Sequence, residues 1–178
     1  SSVVLAAKET QNYPNATRED PKVNMSSREQ SALNKATDYL DEGDDANALS
    51  EIEKVISGKK PSPYAQAYAQ YLLSRVYLDQ EKDAEAIAAT AKAIELDALP
   101  NNAHFDLMYQ LAQLQVQSEQ YDAGLATLER FKKETSSETA DQIALRGNVY
   151  YRLDKYQEAA DTMKRAIAST DEPKESWN

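Results

Sequence analysis

The chain has 178 residues, 41% of them hydrophobic, with only 4 glycines and 6 prolines, a balance that favours helices over a sandwich or barrel. Thirty acidic against 20 basic residues give a formal net charge of −10 without a dense Lys/Arg run, which argues against a nucleic-acid duplex or an anionic membrane as partner. Cysteine is absent, so disulfides, thiolate metal sites and thiol nucleophiles are excluded.

Residues 1–25 lack helical periodicity and carry Asn12, Pro14, Asn15, Pro21 and Asn24, the composition of a flexible leader. The alternative is that Val3-Val4-Leu5 docks on the first helices as an extended strap. The apolar run Val3–Ala7 is too short to span a bilayer, and Asn15-Ala16-Thr17 matches the glycosylation sequon.

Helical signals begin at Ser26-Ser27-Arg28-Glu29-Gln30, which holds two overlapping capping boxes. The first helix runs to about Glu42, with Ala32, Ala36, Tyr39 and Leu40 on one face, and Gly43 ends it. Asp44 or Asp45 caps a second helix whose apolar face is Ala48, Leu49, Ile52, Val55 and Ile56. Ser62-Pro63 opens a tyrosine-rich third helix, to about Asp79, paired with one over 83–96. Pro100-Asn101-Asn102 opens a third pair, about 102–117 and 121–134. Thr135-Ser136-Ser137-Glu138, another capping-box pattern, opens a fourth, about 137–153 and 155–169. The reading is all-α: eight antiparallel helices in four hairpins with short connections.

The hairpins repeat. Each of the turns at Gly43, Lys82, Gln120 and Lys155 is followed by a small residue, Ala48, Ala86, Gly124 and Ala159, at separations of 38, 38 and 35 residues. A period in this range marks a solenoid, in which each unit buries its apolar face only against its neighbours.

With Leu73-Ser74 and Tyr77, Ala86 and Ala93 in the second unit, and Gly147, Tyr150, Tyr156, Ala159 and Ala166 in the fourth, the pattern resembles the tetratricopeptide repeat. The first unit contributes Ala36, Tyr39, Gly43, Ala48 and Val55. The third, with Leu111, Ala112, Tyr121 and Gly124, is the most divergent, since Phe131 stands where that family has a small residue. The resemblance covers about residues 27–173 and implies a right-handed α-solenoid of about four helix-turn-helix hairpins, spanning about 27–61, 62–100, 101–135 and 136–172. The period also places Trp177 where a further unit would carry its large residue, so 174–178 reads as the start of a truncated fifth repeat. The alternative is a capping turn whose Trp packs on the fourth.

The resemblance further implies a concave groove lined by the first helix of each hairpin. It selects Asn34; Tyr68, Tyr71, Leu72 and Arg75; Gln110 and Gln113; and Asn148 and Arg152 as partner-binding residues. Amides suit an extended peptide backbone and the two arginines suit carboxylates; a wet surface without a partner is the alternative. Gln110 and Gln113 stand where chaperone-adaptor members carry a basic pair, which argues against a chaperone-tail receptor. Tyr39, Tyr77, Tyr121, Tyr150 and Tyr156 fall at packing positions.

No nucleophile elbow, zinc box or glycine-rich phosphate loop appears. The single histidine, His104, reads as a surface residue, and Asp41–Asp45 reads as a solvated turn rather than a calcium loop. The expectation is a non-enzymatic scaffold for a protein or extended peptide, with no cofactor, no metal and no nucleic acid. Ala7-Lys8-Glu9-Thr10-Gln11 and Glu172–Trp177 resemble segments of tetratricopeptide proteins that accompany TonB energy-transduction clusters, which implies a bacterial periplasmic accessory of TonB-dependent uptake. A cytoplasmic location, an oligomerisation element and an accessory domain of a larger protein are the alternatives.

Overall fold

The computed structural model describes residues 10–178, and all the regular secondary structure among them is helical. Four helical hairpins follow one another: α1 (Ser27–Asp41) with α2 (Asp45–Ile56), α3 (Pro63–Asp79) with α4 (Asp83–Glu95), α5 (Asn101–Gln117) with α6 (Tyr121–Thr135), and α7 (Ala140–Arg152) with α8 (Tyr156–Ala168). A short 3-10 turn, Glu175–Trp177, ends the chain.

The four hairpin turns are built alike. In each, one residue takes the left-handed conformation: Gly43 (φ 78°), Glu81 (56°), Glu119 (60°) and Asp154 (60°). The next residue's N–H donates back into the closing helix: Asp44 to Tyr39 O, Lys82 to Tyr77 O and Gln120 to Gln115 O at 2.8 Å, and Lys155 to Tyr150 O at 2.9 Å. This 6→1 bond is a Schellman closure, which satisfies carbonyls that a helix end leaves unpaired. The left-handed residues recur at the same 38, 38 and 35-residue spacing as the small residues, so the sequence period is a period of backbone geometry.

Those small residues are where helices touch. Ala48 and Ala86 are fully buried, and Ala159 is nearly so. Gly124 lies so close to α5 that an added Cβ would sit 2.7 Å from Val116 Cγ2. Around these contacts lie three apolar clusters. One fills the first two hairpins around Leu33, Ile52, Leu72 and Val76. A second joins the second and third hairpins around Ile94, Phe105, Met108 and Phe131. A small third one belongs to the fourth hairpin, where Met163 and Trp177 pack on Ile143, Ala144 and Ala166.

Helix starts follow the sequence signals in three cases. Ser26 and Glu29 form the first capping box, Asp44 accepts from Asn47 N, and Ser62 accepts from Ala65 N ahead of Pro63. Glu29 also accepts from Ser62 N at 2.9 Å, so one carboxylate ties the starts of α1 and α3 together.

Two expectations need correction. The fourth hairpin opens with a Thr139–Gln142 capping box, not with Thr135–Glu138. Thr135 is buried and closes α6 by donating to Phe131 O, and Ser136 turns left-handed, so α7 starts three residues late. The flexible leader expected over 1–25 does not describe residues 12–20, which are fastened to the third hairpin.

Tyr13 packs edge-on against Phe105 and Phe131 at 5.3 and 5.6 Å and donates to Asp106 at 2.6 Å. Arg18 donates to Leu99 O, Asp97 O and Asn101 Oδ1. Asp20 accepts the Asn101 N–H at 2.7 Å. Since α5 follows Pro100 and has no side-chain cap of its own, Asp20 supplies the missing cap from 81 residues away. The anchors are aromatic and ionic, and they lie on α5, α6 and the Asp97–Leu99 segment before α5 rather than on the first hairpin; Val3-Val4-Leu5 lies outside the described residues.

Candidate functional site

The nine groove candidates divide into three groups by burial. Leu72 is fully buried in the core of the first two hairpins and cannot meet a partner, which corrects its assignment. In α3 it sits between Ala69 and Val76, on the stripe that packs against α1. Tyr68 and Tyr71 are half-buried and bridge the first and second apolar clusters, with Tyr68 stacked on Tyr64 at 6.0 Å and tilted to Tyr71 at 5.8 Å. Arg75 is engaged with Asp41 at 3.4 Å, a bond that joins α3 to the last turn of α1.

Asn34, Gln113, Asn148 and Arg152 are exposed, and Gln110 is half-buried. Asn148 and Arg152 come together in a recess. With Val116, Tyr121, Leu145 and Tyr151 they line a hollow of about 560 Å³ between the ends of α5 and α7 and the start of α6. Gln117 and Glu119 complete the lining, so the hollow combines apolar and aromatic side chains with two amides, the Arg152 guanidinium and one carboxylate. Arg152 has no ion-pair partner among the described residues.

Sequence reasoning missed the aromatic shelf beside it. Tyr151 and Tyr156 are 61% and 58% exposed, the most open large hydrophobic side chains among the described residues. Their rings meet edge-to-face at 5.5 Å, and Tyr156 donates to Asp154 at 2.9 Å, which raises its pKa. Tyr156 was expected to pack inside; it projects outward because it begins α8, ahead of the small residue that makes the helix contact. The adjacent pair Tyr150-Tyr151 was the available signal, since neighbouring helical residues lie about 100° apart and cannot both face the core.

His104 is likewise corrected: it is fully buried, edge-on to Phe105 at 4.9 Å, with neither ring nitrogen hydrogen-bonded. Burial foremost, then the neighbouring Arg18, push its pKa down to about 4, against the opposing pull of Asp97. No group of three metal-ligating side chains occurs among the described residues, and no helix among them is long and apolar enough to cross a membrane.

Residues 67–98 match the family model described as tetratricopeptide repeat. MamA from Desulfovibrio magneticus RS-1, solved from residue 41 to its end, superposes with a TM-score of 0.64 at 18% identity, covering 82% of this chain and 77% of that one. A second MamA structure gives 0.62 at 20%, covering 79% and 77%. A Podosopora anserina kinesin light chain with nearly identical TPR-like repeats gives 0.60 at 16%, covering 81% and 76%. No curated protein matches the sequence. The chain therefore carries a tetratricopeptide repeat in its second hairpin, and the whole array shares the fold of these solenoids.

Proposed function

We propose that the chain is a non-enzymatic interaction scaffold that holds an extended peptide or a protein surface in the hollow between α5 and α7. The observation that carries this is the convergence of Leu145, Asn148, Tyr151 and Arg152 on one recess, with Arg152 free of any ion pair among the described residues. The amide can pair with a peptide backbone, the guanidinium with a carboxylate, and the tyrosine shelf can cover an apolar side chain. Asn34, Gln110 and Gln113 would extend the contact along the same face. Arg75 would join only by exchanging Asp41 for a partner carboxylate.

The decisive measurement is site-specific photocrosslinking in cells, with the crosslinker at residue 148 and a control at Ser50 on α2. Adducts formed from 148, absent from the control and lost with Arg152→Ala, support the groove. The same adducts from both positions would sink it. The narrower reading, a periplasmic accessory of TonB-dependent uptake, rests on the resemblance of residues 7–11 and 172–177. It predicts that the adduct is a component of that system, recovered from the periplasmic fraction.

A further inference from the structure

We propose that the end of the first hairpin, where α1 begins and α2 finishes, is a second binding site, one that takes a short aspartate- or glutamate-rich peptide segment. A recess of about 900 Å³ lies there, bounded by α1, α2 and the loop before α3. Five cations surround it: Arg28 and Lys35 from α1, Lys54 from α2, and Lys59 and Lys60 from the loop. Two carboxylates lie among them, and both are occupied. Glu29 accepts from the N–H groups of Ser26 and Ser62, and Glu51 pairs with Lys54 at 2.7 Å. Arg28, Lys35, Lys59 and Lys60 have no ion-pair partner among the described residues.

A concentration of unneutralised cations is out of keeping with a chain whose net charge is −10. Elsewhere the basic residues mostly sit among acidic neighbours, as Arg146 does between Glu129 and Glu138. Between the cations the lining is mixed: the buried Ala32 and Val55 lie beside Ser26, Ser31 and Ser57. Arg28 and Lys35 are seven residues apart on one helix, about 10 Å along its axis. That span falls between the i,i+2 and i,i+4 spacings of same-facing residues on an extended chain, about 7 and 13 Å, a difference that the long Arg28 and Lys35 side chains can close.

The surrounding charge selects the class of partner. A duplex or a vesicle surface extends far beyond the recess and would face the acidic remainder of the molecule. A short segment stays within about 10 Å of the four cations, the range over which charge acts at moderate salt. The site is separate from the α5–α7 hollow and shares no residue with it.

The test is fluorescence anisotropy of the full chain with a fluorescein-labelled hexaglutamate peptide, at about 50 mM and then about 300 mM salt. The expected result is saturable one-to-one binding that weakens as salt rises. Lys35→Glu with Lys59→Glu should weaken it about tenfold or more, since each substitution replaces an attraction by a repulsion. Lys59→Gln with Lys60→Gln, confined to the loop, should weaken it in the same direction. Lys164→Glu on α8, a charge reversal far from the recess, should leave it unchanged. No saturable binding at low salt, equal binding by the recess variants, or an equal loss in Lys164→Glu overturns the proposal. So does tighter binding of duplex DNA or phosphatidylglycerol vesicles through the same lysines.

Discussion

Arg146 of α7 donates to Glu138 at 2.7 Å, and the two side chains are only 11% and 10% exposed. The pair lies where the third hairpin meets the fourth, and it is the centre of a network. Arg146 also reaches Glu129 of α6 at 3.1 Å, and Glu138 lies within 3.7 Å of Lys132 and 3.5 Å of Arg165. Burial alone would lower the Arg146 pKa, but the two glutamates outweigh it and hold the guanidinium charged. The fourth hairpin has its own small apolar cluster, so this seam depends on ions where the other seams depend on Leu and Phe. Removing one partner of a nearly buried pair strands the other. Glu138→Ala should cost about 3 kcal/mol in denaturant unfolding. Hydrogen exchange should rise in α7 and α8 before it rises in α1 to α4.

The Tyr13–Asp20 strap predicts a different distribution. Tyr13 sits between two phenylalanines, and burial together with Asp106 raises its phenolic pKa. Tyr13→Ala should destabilise by about 2 to 3 kcal/mol, the range for losing a half-buried aromatic and its contacts. Asp20→Ala should cost about 1 kcal/mol, the usual loss of a helix cap. In both variants exchange should accelerate first at the start of α5. Unchanged protection there would show that the strap bears no part of the third hairpin's stability.

The fold was legible because its determinants are local. Ser26, Asp44 and Ser62 announce helix starts by side-chain chemistry within three residues, and Ala48, Ala86, Gly124 and Ala159 mark contacts by size alone. What stayed hidden is long-range. The cap of α5 comes from Asp20, the Arg146 network joins residues up to 27 apart, and His104 is covered by a segment that reads as a leader. No short pattern encodes such pairings. The groove was only partly legible for the same reason: helix register selects a face, but whether Leu72 is covered and Arg152 left free depends on the neighbouring helices.

The hairpin turns predict a gain. A non-glycine residue in the left-handed region carries about 1 kcal/mol of strain, and Glu81 and Glu119 sit there where the first turn has Gly43. Glu81→Gly and Glu119→Gly should each stabilise by several tenths of a kcal/mol, the relief being partly offset by the freer unfolded chain. Gly43→Ala should destabilise by about 1 kcal/mol for the converse reason. A loss of stability in both glutamate variants would show that those side chains do more than turn the chain.

Two helical glycines should respond oppositely to alanine. At Gly124 the new methyl would lie 2.7 Å from Val116 Cγ2, a branched side chain with little rotamer freedom in a helix. At Gly147 it would lie 3.2 Å from the Cγ and sulfur of Met163, a flexible chain that can swing aside. Alanine gains up to about 1 kcal/mol of helix propensity in either place. Gly147→Ala should therefore be neutral or stabilising, and Gly124→Ala destabilising by about 1 to 2 kcal/mol from overpacking. Val116→Ala in the Gly124→Ala background should recover part of that loss. Additive losses in the double variant would mean that the close approach is not what selects glycine.

His104 makes stability fall with acid before the carboxylates titrate. Burial, reinforced by Arg18 and Arg130 and opposed by Asp97 and Glu134, holds its pKa near 4, against 6.5 when free. Above pH 6.5 the ring is neutral in both states and contributes no pH dependence. Between 6.5 and 4 the unfolded chain takes up a proton that the folded chain refuses, so stability drops as pH falls, by up to about 3 kcal/mol at the acid end. The Glu29 carboxyl shifts the other way: burial would raise its pKa, but hydrogen bonds from Ser26 and Ser62 lower it overall. Its contribution is lost only below about pH 4.5. The interval from pH 7 to pH 5 thus isolates the histidine. His104→Leu removes the titration and two buried nitrogens without hydrogen bonds, so it should match or exceed the natural chain at pH 7. Denaturant unfolding at pH 7 and pH 5 should show a loss of roughly 2 kcal/mol in the natural chain and little in the variant. Equal losses in both would mean that the imidazole is not sealed from solvent.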